Sequence, residues 1–149
     1  MDLEHSDVLM TAIQTDLLAK MFEQAPGFIA VAEGPRHEFQ MANIAYRRLV
    51  GRDDLIGKPV AEALPEVVDQ GFVDLLDEVL ASGTPYFGSG EEVFLGADDK
   101  REQLFLDFIF QPIFEPSGQV AGVFVQGHNV TEEVEAEERQ RILMNELNH

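Results

Sequence analysis

The residues able to do chemistry in this chain are few and scattered. Four histidines are present, His5, His37, His128 and His149. No two of them stand at a metal-ligand spacing. His5 belongs to the terminus, His37 to a turn and His128 to a strand end, so these three read as surface imidazoles. The carboxylate pairs Asp53-Asp54 and Asp98-Asp99 fall among turn residues, where solvated surface is the default. Arg47, Arg48 and Arg52 form a basic group that could meet an anion or offset neighbouring acids. Gly88-Ser89-Gly90 lacks the following Lys-Ser/Thr that a phosphate cradle requires, so the chain alone is not expected to use ATP. There is no Cys, which removes disulfides, thiolate metal sites, cysteine nucleophiles and cysteinyl chromophore adducts together.

The background against which these residues sit is acidic. Ten Lys and Arg stand against 28 Asp and Glu, a net charge of -18. Such a field repels phosphate backbones and anionic lipid, so neither a nucleic-acid binder nor a basic membrane anchor is expected. The apolar fraction is 45%, Phe occurs 11 times, and 149 residues is the size of one domain with short extensions, so a core can be buried. No apolar run approaches the about 20 residues a membrane span needs. The start, Met1-Asp2-Leu3-Glu4-His5, is acidic where a signal peptide would be basic. A cytoplasmic setting is the expectation.

Hydrophobic spacing then predicts the elements. Leu9, Ile13 and Leu17 fall four apart, and Leu18, Met21 and Phe22 widen the stripe of an amphipathic helix over 6–24, with Ser6 as cap. Ala25-Pro26-Gly27 stops it. Two short strands, 28–32 and 38–41, flank the turn residues Glu33-Gly34-Pro35-Arg36. A helical stretch over 43–56 with a turn at Gly51 follows, then a longer helix over 66–81 with Pro65 at its first turn. Three strands come next, 86–95 with a bulge at Gly88 and Gly90, 101–114, and 119–128. From Val130 the composition turns Glu- and Arg-rich, a solvated exit helix to Leu147 with Asn129 and Glu132 as a capping pair.

This order gives an α+β fold: a five-stranded antiparallel sheet with helices on one face, flanked by an N-terminal amphipathic helix (1–24) and a C-terminal exit helix (130–149). Leu104, Leu106, Phe108 and Phe110 share one sheet face, while Phe105, Asp107, Ile109 and Gln111 share the other. In the last strand Val123 and Val125 oppose Phe124, Gln126 and His128. Both faces are substantially apolar, so the face away from the inner helices must meet the N-terminal helix, a second subunit, or both. That makes Leu9, Ile13, Leu17 and Phe124 candidate dimer contacts. Ala136, Gln140, Leu143 and Leu147 are spaced four, three, four, a short coiled-coil seam that adds Leu143 and Leu147. Glu135 with Arg139 and Glu137 with Arg141 are favourable i,i+4 pairs on the same helix.

At four places in order the residues resemble a PAS domain. They are Phe22-Glu23-Gln24-Ala25-Pro26-Gly27-Phe28, Asn43-Ile44-Ala45-Tyr46, the run from Gly51 to Pro59, and the run from Gly122 to Glu132, where Asn129 takes the place of the family's usual Asp. The tail Leu143-Met144-Asn145-Glu146-Leu147-Asn148-His149 resembles the phosphoacceptor box of sensor histidine kinases of the HWE and related type, cut at its histidine. The resemblance implies a PAS domain over 25–129 and makes His149 the candidate phosphoacceptor. An imidazole nitrogen is a competent nucleophile toward a γ-phosphate, and a helix can present it on an exposed face.

The resemblance also implies a pocket between the sheet and the inner helices. Its walls would be Leu106, Phe108, Phe110, Val123, Val125 and Gly127 from the strands and Tyr46, Phe72 and Leu76 from the helices. Its content is open. Cysteinyl-flavin chemistry is excluded by the missing thiol at Gly57-Lys58-Pro59-Val60, and haem is disfavoured because 66–81 carries no His, while a non-covalent small molecule remains possible. The function implied is a cytoplasmic sensory and dimerisation module of a two-component histidine kinase, with a response regulator downstream. The alternative is a ligand-free protein-interaction module. A cavity enzyme is least favoured, since the inward faces offer no acid/base set.

Overall fold

A computed structural model describes residues 2–97 and 100–148, with side chains from Ser6 onward. The elements run α1 (Asp2–Gln24), β1 (Phe28–Glu33), β2 (Glu38–Ala42), α2 (Ile44–Val50), α3 (Val60–Ala63), a 3-10 turn (Pro65–Val67), α4 (Phe72–Ser82), β3 (Tyr86–Leu95), β4 (Glu102–Phe114), β5 (Val120–Asn129) and α5 (Thr131–Leu147). The five strands make one antiparallel sheet in the order β2-β1-β5-β4-β3. The expected α+β architecture is therefore the observed one.

Register explains the packing of the inner face. Phe28, Gly127, Phe108 and Gly88 form one row across β1, β5, β4 and β3. Glycine alternates with phenylalanine because the rings need the space. A Cβ on Gly88 would lie 2.5 Å from the Phe108 ring, and one on Gly127 would lie 2.6 Å from Phe28 Cζ. The next row, Ala30, Val125, Phe110 and Tyr86, repeats the small-to-large progression toward β3. Such interdigitation is what lets a sheet bury bulky side chains at native density.

The edges of the sheet are closed by different means. Along β2, Phe39 N–H donates to Lys58 O (3.0 Å) and accepts at its carbonyl from Gly57 N–H (2.8 Å), so the 57–60 segment occupies that edge. On β3 a bulge between Gly88 and Glu91 interrupts pairing, and the Gly90 amide it frees donates to Asp107 Oδ1 at 2.7 Å.

Several local expectations differ from the structure. Ser6 does not cap α1, because the helix already runs from Asp2. Residues 52–56 are not helical. The single helix expected over 66–81 is broken into the 3-10 turn and α4, because Gly71 at φ 86° steps into left-handed space that a continuous helix cannot contain. At α5 the cap residue is Val130, with no side-chain cap bond; Asn129 Oδ1 instead accepts from the Thr131 amide at 3.1 Å. Of the expected pairs on α5 neither forms, and Arg141 bridges Glu138 one turn back instead.

Beneath β3 lies a buried ion pair. Glu66 is 4% exposed. Its carboxylate accepts from Arg52 Nη2 (2.9 Å) and from the Gly96 amide (2.8 Å). Gln70 adds a two-way bond to the Phe94 backbone, donating to its carbonyl and accepting from its amide at 2.8 Å each. Together they fasten the 3-10 turn to the end of β3. Burial alone would push the Glu66 carboxyl up, but the Gly96 amide, its own backbone amide and Arg52 outweigh that and hold it below the usual carboxylate range. A depressed carboxylate contributes stability that is present above the unfolded pKa and is lost as pH falls through the folded one. Glu66→Ala should therefore cost roughly 3 kcal/mol in urea unfolding at pH 7, with a smaller penalty at acid pH where the wild type has already protonated.

Candidate functional site

A cavity of about 80 Å³ lies between the inner sheet face and the helices. Tyr46 on α2, Phe72 and Leu76 on α4, Leu106, Phe108 and Phe110 on β4 and Val125 on β5 all stand on its wall. Val123 does not. It is fully buried opposite Ala32 and Pro112, and of these three only Ala32 reaches the wall. Gly127 is also buried away from the wall, under the Phe28 ring. The rest of the lining includes Phe28, Phe39, Leu49, Val50, Leu64 and Val67, which the strand alternation and the α4 stripe did not point to.

The cavity wall is built of aromatic contacts. Tyr46 meets Phe28 (6.1 Å) and Phe39 (5.7 Å) edge-on, and Phe108 stands among Phe72 (6.0 Å), Tyr86 (5.9 Å) and Phe110 (4.8 Å). Such pairs contribute about 0.5–1.5 kcal/mol each beyond area burial. Asn43 sets the position of Tyr46. It is the N-cap of α2, and its Oδ1 accepts from the amides of Ile29 (2.9 Å) and Tyr46 (3.0 Å) while Nδ2 donates to Gly27 O (3.0 Å). Burial pushes the Tyr46 phenol far above its usual value, Arg52 pulling it down and Glu66 adding to the rise. The hydroxyl therefore stays protonated.

The charged residues named from sequence are occupied elsewhere. Arg47 donates to Glu23 Oε1 (2.9 Å) and to Ala42 O (2.6 Å), Arg52 holds Glu66, and Arg48 is exposed, so the three do not converge. His37 corrects its surface assignment. It is 1% exposed, with Nε2 2.6 Å from Asp77 Oδ1 on α4. The cause is its backbone: at φ 53° the residue folds the turn back and sends the ring under α4. His128 is exposed, as expected. Among the described residues no cluster of three metal-binding side chains occurs, and no helix is long and apolar enough to cross a membrane.

The exit from the site is a hydrogen-bonded joint. Val130 N–H donates to Phe105 O (2.8 Å), and Phe105 N–H donates to Thr131 Oγ1 (2.9 Å), so both backbone groups of one β4 residue grip the start of α5. Beyond Val134 the described part of α5 is exposed. Leu143 and Leu147 lie open there, as do Leu9, Ile13 and Leu17 on α1, while Phe124 is half-buried on the outer sheet face. Since residues 6–21 are all exposed, α1 does not cover the outer face of its own sheet. His149 lies outside the described residues.

Comparison with known proteins gives one family. A family model described as "PAS fold" matches residues 22–135. Among solved structures, an RNA-binding light-oxygen-voltage receptor superposes with a TM-score of 0.66 at 20% identity over 93% of this chain, which spans only 40% of that one. The PAS domain of a Colwellia psychrerythraea protein gives 0.61 at 17% identity, covering 79% of this chain and 98% of that one. A sensory box sensor histidine kinase from Vibrio cholerae gives 0.55 at 18%, covering 83% and 95%. At these identities the likeness is one of fold.

Phe108 meets three other rings at the cavity wall. Phe108→Ala is expected to lower stability by about 3–5 kcal/mol and to enlarge the cavity. Urea unfolding measures the first, and xenon uptake in a pressurised crystal shows the second.

Proposed function

The chain belongs to the PAS-fold family, and from that premise we propose that it is the sensory and dimerisation module of a two-component sensor histidine kinase of the HWE or related type. In this reading residues 1–24 are a helical extension, 25–129 the sensory domain, and 130–149 the linker that leads into the phosphoacceptor segment with His149. A change at the cavity or the outer sheet face moves the end of β5 and re-aims His149. The observation that carries the reading is the course of β5. It contributes Val125 to the cavity wall and runs through Asn129-Val130-Thr131 into α5, with Phe105 bonded on both sides of the joint.

Dimerisation through Leu9, Ile13, Leu17, Phe124, Leu143 and Leu147 is supported by five of these six side chains being exposed in one chain. Leaving that much apolar side chain in water on two helices is unfavourable unless a partner covers it. The partners proposed are a second copy and, downstream, a response regulator, in the cytoplasm. The light-oxygen-voltage receptor of similar fold is described as RNA-binding. For this chain the net charge of -18 argues against nucleic acid.

One observation favours the second reading, a protein-interaction module with no ligand. A cavity of about 80 Å³ is well below the roughly 300 Å³ at which pockets for drug-sized ligands begin.

Sedimentation at rising concentration should show a dimer in the wild type and a monomer in the Leu17→Asp, Leu143→Asp double variant; a wild-type monomer throughout would remove the dimer from the proposal. Incubation with ATP and the nucleotide-binding domain of an HWE-type kinase should place an acid-labile phosphate on His149, absent from His149→Gln. Phosphate at another residue, or none, counts against the kinase assignment.

A further inference from the structure

Of the three arginines grouped in the sequence, one is left without employment. Arg47 is engaged by Glu23 and Arg52 by Glu66. Arg48 is exposed and takes part in no ion pair among the described residues. It lines a surface groove of about 290 Å³ together with His128, which is exposed and likewise outside any ion pair among the described residues. The His128 ring lies against the backbone of the α1–β1 connection: a Cβ on Gly27 would stand 2.9 Å from its Cε1 and 3.3 Å from its Nδ1. Pro26, Phe28, Ala45 and Leu49 make the apolar part of the wall, and Asn129 at the end of β5 completes it. Phe28 and Leu49 also line the inner cavity, so they stand between it and the groove. No acid lines the groove, in a chain with 28 Asp and Glu against ten Lys and Arg.

This combination selects an anion with an apolar body. A guanidinium presents a planar fork of donors that matches a carboxylate through two bonds, and an imidazole adds a further N–H. The repulsion of the whole chain, net -18, is screened beyond about 8 Å at physiological salt, so the local donors decide the fate of a single charge. A second charge would find no third cation on the wall and would still meet that field. An apolar cavity of roughly 150 Å³ admits benzene, so about 290 Å³ has room for one ring and its carboxylate. We propose that the groove binds a small organic monocarboxylate, its apolar body against Pro26 and Leu49 and its carboxylate on Arg48 and His128.

The site goes beyond the sensory reading and needs no kinase partner, because binding is read on the full chain alone by amide NMR at fixed ionic strength. The probes are benzoate, benzamide, which keeps the shape without the charge, and phthalate, which adds a second carboxylate. Benzoate should give saturable shifts centred on Ala45, Arg48, His128 and Asn129, and benzamide should bind about tenfold more weakly. Arg48→Gln should weaken benzoate about tenfold and His128→Gln about threefold. Arg101→Gln, at an exposed arginine outside the groove, should leave it within about twofold. Phthalate should bind no more tightly than benzoate. Absence of saturable shifts at the groove, or equal affinity for benzoate and benzamide, overturns the site in the wild type without recourse to a variant. Unchanged benzoate affinity in Arg48→Gln overturns the role of that arginine, and tighter binding of phthalate overturns the single-charge class.

Discussion

A single buried amide organises one end of this molecule. Asn43 has no exposed surface, yet its side chain and backbone reach three separate pieces of chain. Its Oδ1 and amide tie it to Ile29 in β1, its Nδ2 reaches back to Gly27, and its carbonyl receives the Arg47 amide within α2. The entry to β1 and the first turn of α2 are thereby fixed to one another before any apolar contact is counted. Because each bond is directional and sits in a low dielectric, the arrangement tolerates little alternative geometry. Phe28 and Tyr46, placed by the two elements so joined, stand at a fixed separation on the cavity wall.

The far end is held by a different chemistry with the same result. Glu66 and Gln70 attach the 3-10 turn to the backbone of β3 through Gly96 and Phe94, and Arg52 ties the α2–α3 connection to the same carboxylate. Between these two fasteners the helices span the sheet without settling fully onto it. Apolar side chains left to themselves would close such a gap, since each lost contact costs dispersion energy. The cavity lies between these two sets of polar bonds, and Phe28 and Phe108 of the phenylalanine–glycine row stand on its wall.

What was legible in the sequence is what depends on period. The alternation in 104–110 and 123–128 gave the inner and outer faces of β4 and β5, and the bounds of β3 were readable from its flanking turns. The apolar stripe of α4 was also visible, but its start was misplaced because Pro65 followed by Glu66 looks like a helix start, and the left-handed φ of Gly71 that separates 66–70 from the helix leaves no mark in the spacing. Leu49, Leu64 and Val67 reach the cavity from short or irregular segments that carry no period at all. Glu66 was illegible for another reason. A lone acid after a proline looks solvated, and the groups that bury it lie 14 and 30 positions away. His37 misled in the same way, since proximity to a turn said nothing about the direction in which the turn would fold.

The bulge in β3 has a bearing on assembly. A regular outermost strand offers a ladder of unused amides and carbonyls on which foreign chains can template. Here a bulge in the pairing with β4, between Gly88 and Glu91, distorts that strand, the Gly90 amide turns to Asp107 of β4, and Glu91 carries its charge at the break, engaged by the Tyr86 hydroxyl. The opposite margin is already taken by residues 57–60. A bent, charged strand at one rim and a bonded segment at the other make each a poor template for sideways growth into extended, fibre-like stacks.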